Sequence, residues 1–128
     1  MTITEEKKTA TDENAAQRLY DLSIVESVSG GDAAFIKKMV TLFIKTVPQN
    51  VEEMAAAMEA ENWDQVRKMA HKLKSTVDSM GIKSIHHQIR LVESNAKQQK
   101  SLDEIPPLVR SIEAVISECL EQLKAEIS

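Results

Sequence analysis

Apolar residues recur at alternating intervals of three and four in four successive segments of the chain, the spacing of one stripe along an α-helix. The third segment shows the pattern at Trp63, Val66, Ala70, Leu73, Val77 and Met80. No segment alternates apolar and polar residues as a half-buried strand would. Four amphipathic helices with short connections predict an all-α fold, an antiparallel four-helix bundle.

A short helix and a long one precede this segment. Residues 21–29 predict a short additional N-terminal helix closed by Gly30 and Gly31, and Asp32 is a suitable N-cap for the helix that follows. Pro48 lies in the middle of that longer helix and predicts a kink, because the apolar stripe continues in phase across it. The apolar positions of the longer helix are Phe35, Ile36, Met39, Val40, Phe43, Val47, Val51, Met54 and Met58.

Length and charge limit the class of protein. A chain of 128 residues is one domain that can bury a core without disulfides or metals. Residues 1–17 are polar and charged, which predicts a mobile tail before a folded domain at 18–128. The net charge of −4 and the aromatic content of 3% disfavour a nucleic-acid surface, which needs a basic face and stacking rings.

Membrane and redox signals are absent from the sequence. No apolar run approaches the roughly 20 residues of a membrane span, and no signal sequence is evident, so we expect a cytoplasmic protein with no membrane partner. The single cysteine excludes an intramolecular disulfide. Cys119 falls among the apolar positions of the last predicted helix, and we expect it to be a small core residue rather than a reactive thiol.

His71 is the residue with the clearest chemical potential. It lies one position, about 100°, from the apolar stripe of the third helix and therefore on the flank that faces solvent. Its neighbours on the same helix face, three and four positions away, are Arg67, Lys68, Lys74 and Ser75. Spacing alone does not distinguish a functional histidine from a solvated side chain with no role.

This setting suits phosphoryl transfer. A neutral imidazole nitrogen is a good nucleophile toward phosphorus, and nearby cations stabilise charge on the phosphoryl oxygens. Ser75 is small enough to let a bulky phosphoryl donor reach the ring. Gly81 fits the end of the helix, where a left-handed residue is commonly required.

The sequence around His71 resembles that of histidine-containing phosphotransfer (HPt) domains. The family motif, Ala-His-x-Leu-Lys-Gly followed by Gly and an apolar residue, is matched by His71, Leu73, Lys74, Gly81 and Ile82. Upstream similarities are Asp21-Leu22-Ser23, Ser29-Gly30-Gly31-Asp32, Phe35-Ile36, Leu42-Phe43, Pro48 and Trp63. The resemblance covers about residues 20 to 125. The chain departs from the family in having Ser75 where glycine is frequent and Glu93 where glutamine is frequent.

The resemblance implies a phosphorelay intermediate of a two-component signalling system. His71 would accept a phosphoryl group from a receiver-domain aspartate and pass it to another receiver, supported by Lys74, Ser75, Arg67, Lys68 and Glu93. The expected partners are response-regulator receiver domains and a hybrid sensor kinase. Mg²⁺ would travel with the receiver, so the chain needs no cofactor or metal of its own. We expect a monomeric carrier without kinase or hydrolase activity, docking through exposed apolar surface near the first helix and the His71 helix.

Other functions remain open from the residues alone. The main alternative is a helical adaptor that docks a receiver or another acidic partner without being phosphorylated. A metal site within the bundle is disfavoured, because the adjacent His86 and His87 point about 100° apart and no His-x-x-x-His pair occurs. A hydrolase site made of Ser75, His71 and Asp78 is disfavoured, because the backbone amides of a helix are already hydrogen-bonded and cannot form an oxyanion hole. Met1 and the polar residues after it favour a free-standing protein over an excised domain.

Overall fold

The computed structural model describes residues 18–127, and these form five α-helices and no strand. The helices are α1 (Ser23–Ser29), α2 (Ala33–Glu59), α3 (Trp63–Ser79), α4 (His86–Gln98) and α5 (Ile105–Ile127). Short 3₁₀ turns at Lys83–Ile85 and Leu102–Glu104 lead into α4 and α5. No helix in this part of the chain has the length and apolarity to span a membrane. The predicted N-terminal tail, residues 1–17, lies outside the described residues.

The four long helices form a closed ring around one core. Helix α2 packs against α3 and α5, and α4 packs against the same two helices from the other side, so α3 and α5 lie at opposite corners. The larger side chains with almost no exposure are Met54, Leu73, Ile82, Ile85, Ile89, Ile105, Ile112 and Leu123. The predicted antiparallel four-helix bundle with a short additional N-terminal helix is confirmed.

Helix α2 begins where its cap was predicted. The Asp32 carboxylate accepts hydrogen bonds from the backbone amides of Ala34 at 3.0 Å and Phe35 at 3.3 Å. The helix continues through Pro48 without a break, and Val47 and Val51 on either side are both buried. The stripe therefore stays in phase across the proline, as expected, while the kink stays a prediction.

Phe35 departs from the predicted core stripe, because it is exposed. The cause is the difference in helix length. Helix α2 has 27 residues and is about 40 Å long, whereas α3 has 17 residues and is about 26 Å long. Since the two are joined at the end of α2, the first turns of α2 extend past the end of α3 and have less surface to pack against.

Cys119 occupies the core as expected. Its side chain is completely buried among the apolar residues of α5 and its neighbours. Burial disfavours the charged thiolate and raises the pKa of the thiol to about 12. Complete burial among apolar side chains confirms the predicted place of Cys119 in the core, and the raised pKa disfavours the reactive thiolate at neutral pH.

A backbone contact at Gly81 joins the end of α3 to the segment before α1. Gly81 has φ +65°, and a Cβ atom built there would lie 2.5 Å from the backbone oxygen of Asp21. The amide of Asp21 donates a hydrogen bond to the carbonyl of Met80 at 2.9 Å. The close approach therefore requires glycine and holds the start of α1 beside the His71 helix.

We expect Gly81→Ala to destabilise the bundle more than Gly30→Ala. Gly30 has nearly the same conformation, φ +67°, but has open space around the Cβ position. Alanine at Gly30 should cost about 1 kcal/mol from conformation alone, whereas the clash with Asp21 should add about 1 to 3 kcal/mol at Gly81. Urea denaturation followed by circular dichroism measures both losses. Equal losses would show that the segment before α1 moves freely away from α3.

Candidate functional site

Helix α3 presents His71 on its outer flank. The helix begins at an N-cap in which the Asn62 side-chain oxygen accepts from the Gln65 amide at 3.3 Å. Ala70 and Leu73, on either side of His71 in the helix, are fully buried and fix the rotation of α3 against the core. The His71 side chain is 67% exposed, so the ring is open to a partner molecule.

Glu93 reaches His71 from the neighbouring helix α4. One of its carboxylate oxygens lies 2.7 Å from His71 Nδ1, and the other lies 2.9 Å from Lys74 Nζ. Val92, the residue before Glu93, is fully buried and sets the face of α4 that meets α3. The carboxylate therefore bridges two side chains one turn apart on α3 and brings His71, Lys74 and Glu93 together.

The charge of Glu93 determines which nitrogen of His71 carries a proton. Partial burial opposes ionisation, but the hydrogen bonds and charges of Lys74 and then His71 outweigh it and lower the pKa of Glu93 below its ordinary 4.5. An ionised carboxylate only accepts hydrogen bonds, so Nδ1 must be the donor. In the neutral ring the proton is thus assigned to Nδ1, which leaves the lone pair on Nε2.

This arrangement is chemically suited to nucleophilic attack by Nε2. Within residues 18–127, Glu93 is the one hydrogen-bond partner of the His71 ring. When Nε2 forms a bond to an electrophile, the ring becomes cationic because Nδ1 keeps its proton. The negative charge of Glu93 is already in place to stabilise that cation, at 2.7 Å from Nδ1.

Arg67 and Lys68 are not free cations at the site. Both pair with Asp64, at 3.0 Å from Arg67 Nη2 and 3.4 Å from Lys68 Nζ. Their hydrogen bonds, Arg67 first, lower the pKa of Asp64. Asp64 was not predicted as part of the site, although its spacing of three and four residues from the two cations is the usual signal for helical ion pairs.

Ser75 lies on the other flank of His71 from Glu93, toward α2. It is exposed and borders a shallow groove between α3 and α2, lined on the α2 side by Leu42 and Thr46. Val25 of α1 closes the same groove. Ser75 therefore connects the His71 flank to the surface formed by α1 and α2.

Exposed apolar side chains lie on that surface. We call Ile24, Val28, Phe35 and Leu42 the apolar patch, since they are the large apolar residues that the structure leaves exposed in the part of the chain it describes. Val28 is 75% exposed and Leu42 is 51% exposed. Because these residues lie on α1 and α2, two helices that contact each other, they form a candidate protein interface.

Asp78 and His86 belong to a second polar cluster. Asp78 lies 2.7 Å from Arg90 Nη2 and 3.1 Å from His86 Nδ1, and the hydrogen bond from Arg90 is the largest cause of its lowered pKa. Asp78 therefore does not orient His71, and the Ser-His-Asp relay is not assembled. Among residues 18–127, no group of histidine, cysteine and carboxylate side chains is placed to hold a metal ion.

Comparison with known proteins identifies the family. The model of the Hpt domain family matches residues 38–126, and the chain therefore belongs to this family. Family membership gives it a histidine phosphotransfer role in phosphorelays, with receiver domains and sensor kinases as the class of partner. No curated protein sequence matches the chain at a significant level.

The fold is also that of a solved phosphotransfer protein. The structure is similar to the crystal structure of histidine-containing phosphotransfer protein B (HptB) from Pseudomonas aeruginosa PAO1, with a TM-score of 0.77. Sequence identity is 18%, and the match covers 87% of this chain and 96% of that chain. At this identity the similarity establishes the shared helical bundle.

We expect the neutral His71 ring to carry its proton on Nδ1 in the parent protein and to lose that preference in Glu93→Ala. Removing the carboxylate removes the acceptor at 2.7 Å. Long-range ¹H–¹⁵N NMR of the ring nitrogens measures the tautomer directly at a pH where the ring is neutral. His86 is the internal control, because its partners Asp78 and Arg90 are unchanged. A parent spectrum dominated by the Nε2–H form would remove Glu93 from this role.

Proposed function

We propose that this chain is a phosphorelay carrier in which His71 accepts a phosphoryl group from the aspartate of one receiver domain and passes it to the aspartate of another. The observation that carries the proposal is the exposed His71 ring bonded through Nδ1 to an ionised Glu93, within a bundle of the Hpt family. The carrier acts as a cytoplasmic monomer. A hybrid sensor kinase is the source of the phosphoryl group that the first receiver brings.

The transfer step exchanges one bond to phosphorus for another. The Nε2 lone pair attacks the phosphorus of the receiver's aspartyl phosphate, an N–P bond forms, and the P–O bond to the aspartate breaks. The aspartate leaves as a carboxylate. The Nδ1 proton stays on the ring, so no proton needs to move during the step. Mg²⁺ held by the receiver would supply charge screening for the phosphoryl oxygens. The reverse of these bond changes delivers the group to the next receiver.

Lys74 is the cation best positioned to assist. Its ammonium group uses one contact, at 2.9 Å, for Glu93 and has further N–H donors for a phosphoryl oxygen. By holding Glu93 from the other side, it also fixes the carboxylate that orients the ring. Arg67 and Lys68, held by Asp64, contribute to the local field rather than acting as free charges. Lys74 therefore supports the transfer both directly and through Glu93.

The apolar patch and the groove beside Ser75 supply the receiver's docking surface. They lie on α1, α2 and the Ser75 side of α3, next to the exposed ring. A docked receiver would cover this surface and exclude water from Nε2, which protects the phosphoryl group from hydrolysis. The alternative, a helical adaptor that is never phosphorylated, would use the same surface, so binding alone does not distinguish the two functions.

Phosphorylation of His71 tests the proposed function. Phosphorylated receiver domains from the same genome should transfer label to the parent chain, giving an acid-labile, alkali-stable phosphate. His71→Gln should abolish labelling while leaving the helical signal and melting temperature unchanged, because the side chain is exposed. His86→Gln and His87→Gln are matched controls and should retain transfer. Labelling that persists in His71→Gln would assign the phosphate to another residue and overturn the proposal.

Substitution of Ser75 tests the approach of the donor. Ser75→Gly should retain transfer, because the receiver needs space rather than the hydroxyl, at a cost in helix stability of about 0.5 kcal/mol. Ser75→Gln is a good helix former and should slow transfer from receivers by tenfold or more with stability preserved. Stopped-flow transfer rates and urea denaturation separate the two effects. If Ser75→Gln transferred at the parental rate, the receiver would have to approach His71 from the α4 side.

A further inference from the structure

Most of the cations around His71 are paired with carboxylates of the same chain. The pairs are Arg67 and Lys68 with Asp64, Lys74 with Glu93, and Arg90 with Asp78. Each pair is at 3.4 Å or less between nitrogen and oxygen. These pairs reduce the positive charge that a partner meets beside His71, although Lys72, the next residue in the chain, is exposed and has no ion pair within residues 18–127.

Three lysines on α2 have no such partner. Lys37, Lys38 and Lys45 are exposed, and the structure shows no ion pair for any of them within residues 18–127. They lie around one shallow depression together with Met39 and Leu42. We call these three residues the lysine rim, because they surround Leu42 of the apolar patch.

The lysine rim is continuous with the surface that leads to His71. Met39 and Leu42 line both the depression among the lysines and the groove bordered by Ser75. Ser75 is one helical turn from His71. An unbroken surface therefore runs from the exposed ring, across the groove and the apolar patch, to unpaired positive charge on α2.

We infer that the lysine rim selects the partner, by recognising carboxylates on the surface of the receiver domain that docks on the apolar patch. This inference rests on the proposed function. The chain carries a net charge of −4, so its overall field disfavours the approach of a site lined by carboxylates, as a receiver site for Mg²⁺ would be. A local basic surface beside the docking site orients the approach and raises the rate of productive encounter.

Charge reversal at the rim with a matched control tests the inference. The rim variant is Lys38→Glu with Lys45→Glu, seven residues apart on one face of α2. The control is Arg110→Glu with Lys124→Glu, two exposed positions on α5. It changes the net charge by the same amount, and α5 lies diagonally across the bundle from α3. Circular dichroism and thermal melting establish that both variants are folded.

Transfer kinetics from phosphorylated receivers of the same genome give the first readout. At low ionic strength, kcat/KM for the rim variant should fall by tenfold or more, with the maximal rate unchanged, while the control stays within twofold of the parent. The difference should shrink as salt screens the charges. Phosphoramidate, a small donor that needs no docking, should phosphorylate His71 at the same rate in all three proteins. An unaffected rim variant, or equal losses in rim and control, overturns the inference.

Binding measured without transfer separates this inference from the proposed function. Isothermal titration calorimetry with each unphosphorylated receiver should show affinity at least tenfold weaker for the rim variant than for the control. A weakened rim variant together with an unphosphorylated parent would support the rim and reject the carrier function. Equal affinities, or no receiver that binds the parent, would overturn the rim as a receiver-recognition surface whatever the fate of His71.

Discussion

The contact of the Glu93 carboxylate with His71 and Lys74 is the interaction on which the proposed chemistry of this bundle depends. It is partly buried between α3 and α4, where ionisation carries a desolvation cost, and that cost is offset by Lys74 on one oxygen and His71 on the other. The same bonds assign the proton of the neutral ring to Nδ1. Glutamine is frequent at this position in the family. Glu93 can orient the His71 ring as a glutamine would, and it adds a negative charge beside the ring.

The core explains how this contact is held. Leu73, Ile89 and Val92 are fully buried, and they fix the rotation of α3 and α4 against one another. Because interiors are close-packed, the two helices have little freedom to slide. His71 and Glu93 are 22 residues apart in the chain, yet their side chains meet at hydrogen-bond distance. Packing of the apolar stripes therefore positions the contact between His71 and Glu93, although the His71 ring itself is exposed to solvent.

Periodicity and capping signals predicted most of the fold, because they are local. Asp32 caps α2 through its own next residues, and the stripe around Pro48 continues as its spacing requires. Phe35 could not be predicted, since its exposure depends on how far α2 extends past α3. At the site, the resemblance to HPt domains pointed to Glu93. Its contacts with His71 and Lys74 could not be predicted, because they depend on the register of α3 against α4. Asp64 was not predicted although its pairs are local, because it is seven residues from His71 and therefore beyond the neighbours three and four positions away.

In the proposed relay, the distribution of charge separates chemistry from recognition. A carrier must release the phosphoryl group as readily as it accepts it, so strong binding of the phosphorylated state would trap the group on His71. Pairing Lys74 with Glu93, and Arg67 and Lys68 with Asp64, moderates the positive potential at the ring. Unpaired lysines on α2 supply attraction for an acidic partner from a helix that does not carry the histidine. Affinity for the receiver can then increase without deepening the energy well of the phosphorylated intermediate.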